Sequence, residues 1–321
     1  MADACVIGVD LGGTKLLAGT VDEDLRVHHR AYRRSRRDAV VATIVEAIDE
    51  AREAAGGEVL AVGVGVPCLV EPRRGVAMRC NHLSLVDVPL RDLLAERVAL
   101  PVVVENDATA ALVAEWRYGA ARGARHALIL TIGTGVGGGI LADGRIVRGV
   151  SGAAGELGHI VIDEDGPPCP GNCPNRGCLE AFVSGPALAR DGRARAEAEP
   201  ESGLGRALAA GREITGPLVT ELAYDGDAAA RGALAALGRH LGAGLVSLVN
   251  VFNPELIVIG GGLVAAGDLL LEPARAVVAE RAHAPSRDQV RIVPARFGDE
   301  SGMLGAAALA FEVAGELESI G

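Results

Sequence analysis

Three cysteines, Cys169, Cys173 and Cys178, lie within ten residues of one another in the stretch GPPCPGNCPNRGCLE (166–180). Thiols so close in sequence form disulfides, bind a metal ion or occur together by chance. The N-terminal stretch has no basic segment followed by a long apolar one, so we expect no signal peptide and a cytoplasmic protein. In that reducing compartment, a cysteine cluster favours a metal site over a disulfide.

Two glycine-rich stretches, DLGGTK (10–15) and TIGTGVGGG (131–139), have the character of phosphate-binding loops. Glycine lets the backbone approach a phosphate closely and present its N–H groups, and each stretch adds a threonine hydroxyl. Tight hairpin turns alone would explain either stretch. The presence of both, together with GGG at 260–262 after an apolar strand, favours a nucleotide held between two lobes.

Two common nucleotide motifs are excluded. Residues 133–138 match the pattern G-x-G-x-x-G, but they run into a second apolar stretch and a DG turn rather than a helix, which excludes a Rossmann dinucleotide site. The P-loop pattern is not met either, because threonine precedes lysine in GVDLGGTK.

Asp107 ends the apolar stretch VVVEND and starts a run of strong helix formers. A carboxylate at a helix N-terminus is favoured in its ionised form. Asp107 therefore either caps the helix or accepts a proton from a hydroxyl that attacks a phosphoryl group. We expect Asp10, which lies beside the first glycine pair, to hold Mg²⁺ through water.

The elements that must position these residues follow from hydrophobic periodicity. Apolar runs bounded by turn residues predict strands, and longer stretches with helical spacing predict helices. Two strand–glycine–strand units, each opening a region of mixed elements, indicate a duplicated α/β architecture. The predicted strands are 5–10, 15–21, 59–67, 100–107, 126–141 (two strands around the glycines), 254–263 and 288–295, and the predicted helices are 36–57, 108–116, 227–252 and 302–315.

Composition limits the classes of partner. The 321 residues suffice for two domains; 49% are hydrophobic, 23% are charged, and the formal net charge is −11. This acidity, with only 2% aromatic residues, argues against nucleic acid or an anionic membrane as a partner. No apolar run approaches the roughly 18–20 residues that cross a bilayer, so we expect a soluble protein.

The chain resembles the ROK family, in its sugar-kinase branch. The resemblance implies a two-domain α/β fold of the sugar kinase/actin-like ATPase (RNase H-like) class with duplicated halves. It also implies a smaller N-terminal domain, residues 1–112 closed by a helix in 301–321, and a larger domain, residues 113–300, that carries the cysteine loop. The stretches that carry the resemblance are, in the family's order, DLGGTK (10–15), END (105–107), TIGTGVGGGI (131–140), GELGH (155–159), the cysteine cluster ending in GCLE (177–180), and IGGG (259–262).

The same resemblance implies roles for individual residues. Asp107 is expected to be the catalytic base, which draws a proton from the primary hydroxyl of a bound sugar. The residues expected to bind the sugar are Asn106, Asp107, Glu156, His159 and Glu180. The nucleotide-binding residues implied are Asp10, Gly12, Gly13, Thr14 and Lys15 on the phosphate and Mg²⁺ side, Thr131, Gly133, Thr134 and Gly135 opposite them, and Gly260, Gly261 and Gly262 near the adenosine.

A zinc site is implied as well. A closed set of four ligands leaves no place for a water molecule, so this zinc would be structural. It would fix two sugar-binding carboxylates that flank the ligands in sequence, Glu156 and Glu180. The implied ligands are His159, Cys169, Cys173 and Cys178.

Two positions depart from the family pattern. The cluster spacing is C-x₃-C-x₄-C rather than C-x-C-x₄-C, and the departure falls on Cys169. Cys68 stands where the family usually has glycine in a sugar-lining loop. We interpret Cys5, Cys68 and Cys80 as ordinary buried or half-buried thiols.

The reaction implied is ATP-dependent phosphorylation of a hexose at O6, with glucose as the first candidate and Mg²⁺ bound to ATP. N-acetylglucosamine, N-acetylmannosamine and fructose are alternative acceptors, and polyphosphate is a less favoured donor. A repressor of the same family is not expected, because the first strand starts at residue 6 and leaves no room for a winged-helix domain. A non-catalytic sugar sensor is a further alternative. By analogy with the family, we expect a homodimer or homotetramer.

Overall fold

The computed structural model describes residues 4–36, 38–80 and 83–318, which form an α/β architecture. The strands are β1 (Cys5–Leu11), β2 (Lys15–Val21), β3 (Val27–Arg34), β4 (Val59–Val66), β5 (Cys68–Glu71), β6 (Val76–Cys80), β7 (Val86–Val88), β8 (Val102–Asn106), β9 (Ala127–Ile132), β10 (Val136–Ala142), β11 (Arg145–Ile146), β12 (Leu256–Gly260) and β13 (Arg291–Pro294). The helices are α1 (Val40–Glu53), α2 (Leu90–Val98), α3 (Asp107–Arg117), α4 (Leu179–Phe182), α5 (Gly185–Ala198), α6 (Gly203–Ala209), α7 (Gly216–Tyr224), α8 (Ala228–Phe252), α9 (Asp268–Arg281), α10 (Ser286–Gln289) and α11 (Ser301–Glu318).

The first sheet has the strand order β3-β2-β1-β4-β8. β1 and β2 form an antiparallel hairpin around the first glycine loop, whereas β1, β4 and β8 run parallel. Side chains alternate between two apolar cores, one shared with α1 and α2 and the other with α3 and α11. Gly63 in β4 allows α11 to approach the sheet closely, because a Cβ there would overlap the backbone carbonyl of Ala306.

The second sheet has the order β11-β10-β9-β12-β13 and repeats the plan of the first. A hairpin again forms one side, with β10 and β11 antiparallel, and later strands extend the other side, with β9, β12 and β13 parallel. The predicted duplication of a strand–glycine–strand unit is therefore confirmed. In each sheet a glycine loop joins two successive strands, β1 to β2 in the first sheet and β9 to β10 in the second.

A small third sheet joins β5, β6 and β7 and contains a disulfide bond. Cys68 in β5 lies directly opposite Cys80 in β6, and the two residues are bonded. The interpretation of these two residues as separate thiols was therefore wrong. The sequence alone did not predict that Cys68 and Cys80 are partners, because only the register of the strands brings the two positions together. Cys5 is a buried free thiol, as predicted.

The chain divides into two compact units. Unit 1 comprises residues 1–125, 138–155 and 295–321, and unit 2 comprises residues 126–137 and 156–294. The predicted domain boundaries, 1–112 with 301–321 and 113–300, stay a prediction. Their outermost residues, 1–3 and 319–321, lie outside the described residues.

Helix α8 in unit 2 is, by length and composition alone, apolar enough to cross a membrane. More than half of its most apolar window is buried inside the protein. Leu234, Leu241 and Leu245 are fully buried, and Gly238 and Gly242 lie against α9. The hydrophobicity of α8 is thus that of a core helix to which α9 packs closely.

Candidate active site and metal centre

The four residues predicted as metal ligands lie together in unit 2. One ligand atom from each of His159, Cys169, Cys173 and Cys178 lies within 4.8 Å of all the others. The Sγ atoms of Cys173 and Cys178 are 4.0 Å apart, and Cys169 Sγ is 3.4 Å from His159 Nδ1. Tetrahedral Zn–S bonds of about 2.3 Å place neighbouring sulfurs about 3.8 Å apart, so these residues fit a zinc ion with little rearrangement.

Backbone pairing between the two ends of the loop assembles this cluster. The N–H of Ile162 donates to the carbonyl of Gly177 at 2.9 Å, and the N–H of Leu179 donates to Ile160 at 2.8 Å. Gly177 has φ of +65°, and a Cβ there would overlap the backbone of Asp163, so this position requires glycine. The pairing places Cys178 beside the short helical turn that ends in His159.

The surroundings of the thiols disfavour their charged form. Burial raises the pKa of Cys169, and hydrogen bonds to Cys178 and Cys173 raise it further. Burial also raises the pKa of Cys178. A bound cation reverses this effect, because thiolate ligands are deprotonated by the metal they bind.

The imidazole of His159 connects the cluster to Glu156. Its Nδ1 faces Cys169, while its Nε2 is 3.5 Å from Glu156 Oε2. Desolvation raises the pKa of Glu156, although 46% of its side-chain surface is exposed; His159 opposes the shift and Glu180 adds to it. A histidine that binds a metal through one nitrogen and a carboxylate through the other is held in one orientation.

Glu180 is buried and accepts a hydrogen bond of 2.7 Å from the backbone N–H of Val136. Cys178 immediately precedes α4, the short helix that carries this carboxylate. Glu180 therefore contacts the second glycine loop, a contact that the sequence did not predict.

The two glycine stretches of unit 2 lie next to each other. Thr131 at the end of β9 pairs in register with Gly260 at the end of β12. Gly261 has φ of +79° and packs so closely on Ile132 that a Cβ would overlap its backbone. Within the loop, the N–H of Gly133 donates to Gly135 at 2.9 Å. Parallel strands thus bring the predicted residues 131–135 and 260–262 together at their carboxyl ends.

The first glycine loop lies at the β1–β2 turn of unit 1. The N–H of Gly12 donates to the Lys15 carbonyl at 2.8 Å, which closes the turn. Burial raises the pKa of Asp10 to about 6; the ammonium of Lys15 opposes the shift and Asp299 adds to it. Lys15 Nζ is 3.0 Å from Asp299 Oδ2 in an exposed ion pair. The loop thus combines a carboxylate and an ammonium at a glycine turn.

Asp107 is the first residue of α3, and the capping residue is Asn106 rather than Asp107. The side-chain oxygen of Asn106 accepts from the N–H of Thr109 at 3.0 Å. Asn106 Nδ2 is 3.2 Å from Asp107 Oδ1, which also accepts from the N–H of Ala108 at 2.8 Å. The alternative that Asp107 serves as the N-cap is therefore wrong, and its carboxylate is held by a neighbouring amide.

A partly buried ion pair supports Asn106 and Asp107. Glu105 Oε2 accepts from Arg148 Nε at 2.8 Å, and Glu105 Oε1 accepts from the N–H of Asn106 at 2.9 Å. Asn106 Nδ2 also donates to the carbonyl of Cys68 at 3.3 Å. Hydrogen bonds thus join Arg148, Glu105, Asn106 and Asp107 in one network within unit 1.

Comparisons with known proteins identify the family. The sequence model described as the ROK family matches residues 6–313. The chain belongs to the ROK family. A glucokinase of Streptomyces coelicolor is 37% identical to this ROK protein over 314 residues, which are 95% of this chain and 97% of that one.

Solved ROK structures agree with this fold. A ROK family glucokinase from Streptomyces griseus in complex with glucose and AMPPNP has 36% identity and a TM-score of 0.89, over 96% of this chain and 99% of that chain. A ROK family transcriptional regulator, a homolog of the E. coli MLC protein, has 29% identity and a TM-score of 0.86, over 97% of this chain and 78% of that chain. The predicted sugar kinase/actin-like ATPase fold is therefore confirmed.

The predicted ROK site residues are divided between the two units. Unit 1 holds Asp10, Gly12, Gly13, Thr14, Lys15, Asn106 and Asp107, and unit 2 holds Thr131, Gly133, Thr134, Gly135, Glu156, His159, Cys169, Cys173, Cys178, Glu180 and Gly260, Gly261 and Gly262. The sequence analysis missed Glu105 and Arg148. A carboxylate inside the apolar run VVVEN was the available signal, since a buried charge needs a partner.

Proposed function

We propose that this ROK protein transfers the γ-phosphoryl group of ATP to O6 of a hexose, with glucose as the preferred acceptor. The observation that carries the proposal is the likeness, over nearly the whole chain, to a structure that holds both glucose and AMPPNP. The carboxylate of Asp107, held by Asn106 at the start of α3, supports it from the chain itself. The products would be glucose 6-phosphate and ADP.

Asp107 is the base in this proposal. Its carboxylate accepts the proton of the sugar's primary hydroxyl as that oxygen forms a bond to the γ-phosphorus and the bond to the β-phosphate oxygen breaks. Asn106 orients the carboxylate, and Glu105 with Arg148 holds the backbone of Asn106. Asn106, Glu156, His159 and Glu180 bind the other hydroxyls, which fixes O6 for in-line attack.

The nucleotide is bound by the glycine loops. In this proposal the loops 12–15 and 133–135 contact its phosphates, and residues 260–262 approach the adenosine. Mg²⁺ bound to ATP neutralises the charge that develops on the phosphoryl oxygens. Asp10 would hold this ion through water, and Lys15 would exchange Asp299 for a phosphate.

The metal in the His159 cluster is proposed to be a structural Zn²⁺. One imidazole and three thiols are the ligand set that zinc prefers, and they occupy all four tetrahedral positions. Its role is to hold the segments that carry Glu156 and Glu180. We further propose a cytoplasmic homodimer or homotetramer that acts in carbohydrate metabolism, with neither nucleic acid nor membrane as a partner.

The first test is ADP release from purified protein with Mg·ATP and a panel of glucose, mannose, fructose, N-acetylglucosamine and N-acetylmannosamine. We expect turnover with glucose above the others. Asp107→Asn should lower kcat about 10²- to 10⁴-fold, because a general base contributes a factor of that size, while glucose binding measured by calorimetry is retained. Asp92→Asn, an exposed carboxylate on α2, is the matched control and should keep wild-type activity.

Each alternative predicts a different outcome. Preference for an N-acetylated sugar or fructose would reassign the acceptor within the same reaction. Sugar binding without turnover in the wild-type protein would favour a non-catalytic sensor and overturn the proposal. Full activity of Asp107→Asn would overturn the assignment of the base.

A further inference from the structure

The loop that follows β9, residues 133–135, and Val136 at the start of β10 make three contacts with segments that adjoin the four candidate metal ligands. Glu180 accepts the N–H of Val136 at 2.7 Å, and the N–H of Gly185 donates to the carbonyl of Gly133 at 2.8 Å. Gly158, next to the ligand His159, packs so closely that a Cβ there would overlap the Val136 carbonyl. Each holding residue lies next to a ligand or shortly after the last one, Cys178.

The contact between Glu180 and the loop leaves no spare volume. A Cβ on Gly135 would overlap the carboxylate of Glu180. Glu180 is 6% exposed, so little water is available to replace its hydrogen bond to Val136. A backbone N–H without an acceptor in such a place is costly, and the loop would have to turn to find one.

We propose that Glu180 is a positioning residue for the nucleotide loop, so that the metal cluster sets ATP affinity as well as the geometry of the sugar site. The inference rests on the proposed function for the identity of the nucleotide. It adds a second role to a carboxylate whose expected role is sugar binding. Glu180 acts by orienting the backbone: its acceptor oxygen fixes the direction of the Val136 N–H and therefore of the peptide groups of 133–135.

Whether replacing Glu180 weakens or tightens nucleotide binding distinguishes a positioning role from simple charge repulsion. A carboxylate near triphosphate repels it, so removing the charge would tighten nucleotide binding if repulsion dominated. Removing the acceptor would loosen the loop and weaken nucleotide binding if positioning dominates. Glu180→Ala removes charge and acceptor, whereas Glu180→Gln removes the charge and keeps a carbonyl acceptor.

The experiment measures the dissociation constant of Mg·AMPPNP by calorimetry in protein without sugar. We expect Glu180→Ala to weaken binding about tenfold, the value of one charge-assisted hydrogen bond, and Glu180→Gln to restore most of the loss. Glu156→Ala is the matched control, because it removes the other carboxylate of the cluster and should change this constant less than about twofold while it raises the KM for sugar. Circular dichroism and metal content confirm that each variant is folded and loaded.

Wild-type or tighter nucleotide binding by Glu180→Ala, with only the sugar KM changed, would overturn the proposal. If Glu180→Ala does not fold, Gly135→Ala tests the same contact, since its methyl group displaces the carboxylate; Glu180→Asp, whose side chain is one methylene shorter, should then reduce the penalty of the added methyl. Because the constant is measured without sugar or turnover, a protein that phosphorylates no hexose would sink the proposed function and leave this comparison intact.

Discussion

Asp10 shows how one half-buried carboxylate sets a balance between ligand binding and stability. It is the penultimate residue of β1, and Gly302 in α11 packs so closely that a Cβ there would overlap its carboxyl group. Burial raises its pKa from 3.8 to about 6, against the pull of Lys15. In the ligand-free protein, the charge that suits a metal–nucleotide complex is therefore unfavourable for folding.

Asp10→Asn is expected to stabilise the ligand-free protein at neutral and alkaline pH. Below pH 3.8 Asp10 is protonated in both the folded and the unfolded chain, so it does not lower the free energy of unfolding. Between pH 3.8 and about 6 the group is ionised mainly in the unfolded chain, so the free energy of unfolding falls as the pH rises. Above about pH 6 the group is ionised in both states and the full loss of stability is present. The gain should thus be large at about pH 8 and shrink towards about pH 4.5. Urea unfolding at both values measures it.

The control for this measurement is Asp49→Asn, which neutralises an exposed carboxylate on α1. Its effect on the free energy of unfolding should stay within about 0.5 kcal/mol. A gain from Asp10→Asn that grows as the pH falls would contradict the assignment of the raised pKa.

At the scale of elements, Glu115 links α3 to the segment that leads into α11. Its side chain is fully buried, and its two oxygens accept four hydrogen bonds. The donors are the N–H groups of Ala120, Arg296 and Phe297 and the hydroxyl of Ser301. This carboxylate therefore organises the turn that also presents Asp299 to Lys15.

Glu115→Gln is expected to destabilise the protein by about 2–4 kcal/mol, because the amide NH₂ must face donors that previously met an oxygen and leaves them unsatisfied. The free energy of unfolding in urea measures this loss. Glu46→Gln, which removes the negative charge of an exposed ion pair with Arg36, should lose less than about 1 kcal/mol. Equal losses in the two variants would show that the buried network contributes no more than the exposed pair.

Local patterns predicted the elements that pattern alone determines. Strands β1, β2, β4, β8 and β12 lie within a residue or a few residues of the predicted segments, because apolar alternation and bounding glycines are local properties. Helix α8 follows its prediction almost to the residue, with Asp227 as its cap. No helix was predicted over α5, whose exposed face is charged. The helical pattern of α5 can be recognised only once its buried face is known.

Contacts between distant segments could not be predicted. The hydrogen bond from Val136 to Glu180, the disulfide of Cys68 with Cys80 and the four donors to Glu115 depend on strand register and helix packing. The cysteine cluster was predicted because its ligands are close in sequence and a family resemblance added His159. The role of Asn106 as helix cap was missed because two adjacent residues, Asn106 and Asp107, are equally good caps by type.

At the scale of the whole molecule, the candidate metal ligands and the tryptophan lie in different units. The metal cluster lies in unit 2, whereas Trp116, the single tryptophan of the chain, lies in unit 1. Its indole N–H donates to the carbonyl of Ala124 at 3.1 Å, also within unit 1. Tryptophan fluorescence therefore reports on unit 1, and far-ultraviolet circular dichroism reports on both units.

Removal of the proposed zinc by a strong chelator is expected to lower the stability of unit 2 more than that of unit 1. The circular dichroism transition in urea should move to lower denaturant, while the fluorescence transition of Trp116 stays near its original midpoint, because a ligand stabilises the part of the chain that binds it. Metal analysis before and after treatment should show the loss of one zinc per chain.

The control is the same chelator saturated beforehand with zinc. Equal shifts of both signals would show that the two units unfold as one cooperative body. Unchanged signals in verified metal-free protein would show that the cluster adds no stability.

The stretch from Glu156 to Glu180 also bears on how such a chain diverges. Exposed residues such as Asn172 and Asn175 separate its ligands, and exposure ordinarily tolerates both substitution and insertion. In this segment, tolerance to substitution does not imply tolerance to insertion. An added residue between Cys173 and Cys178 would displace a ligand, and with it Glu180 and the loop that Glu180 holds. Between Cys173 and Cys178, substitution of exposed residues is therefore expected to be tolerated, whereas a change in the length of the segment is not.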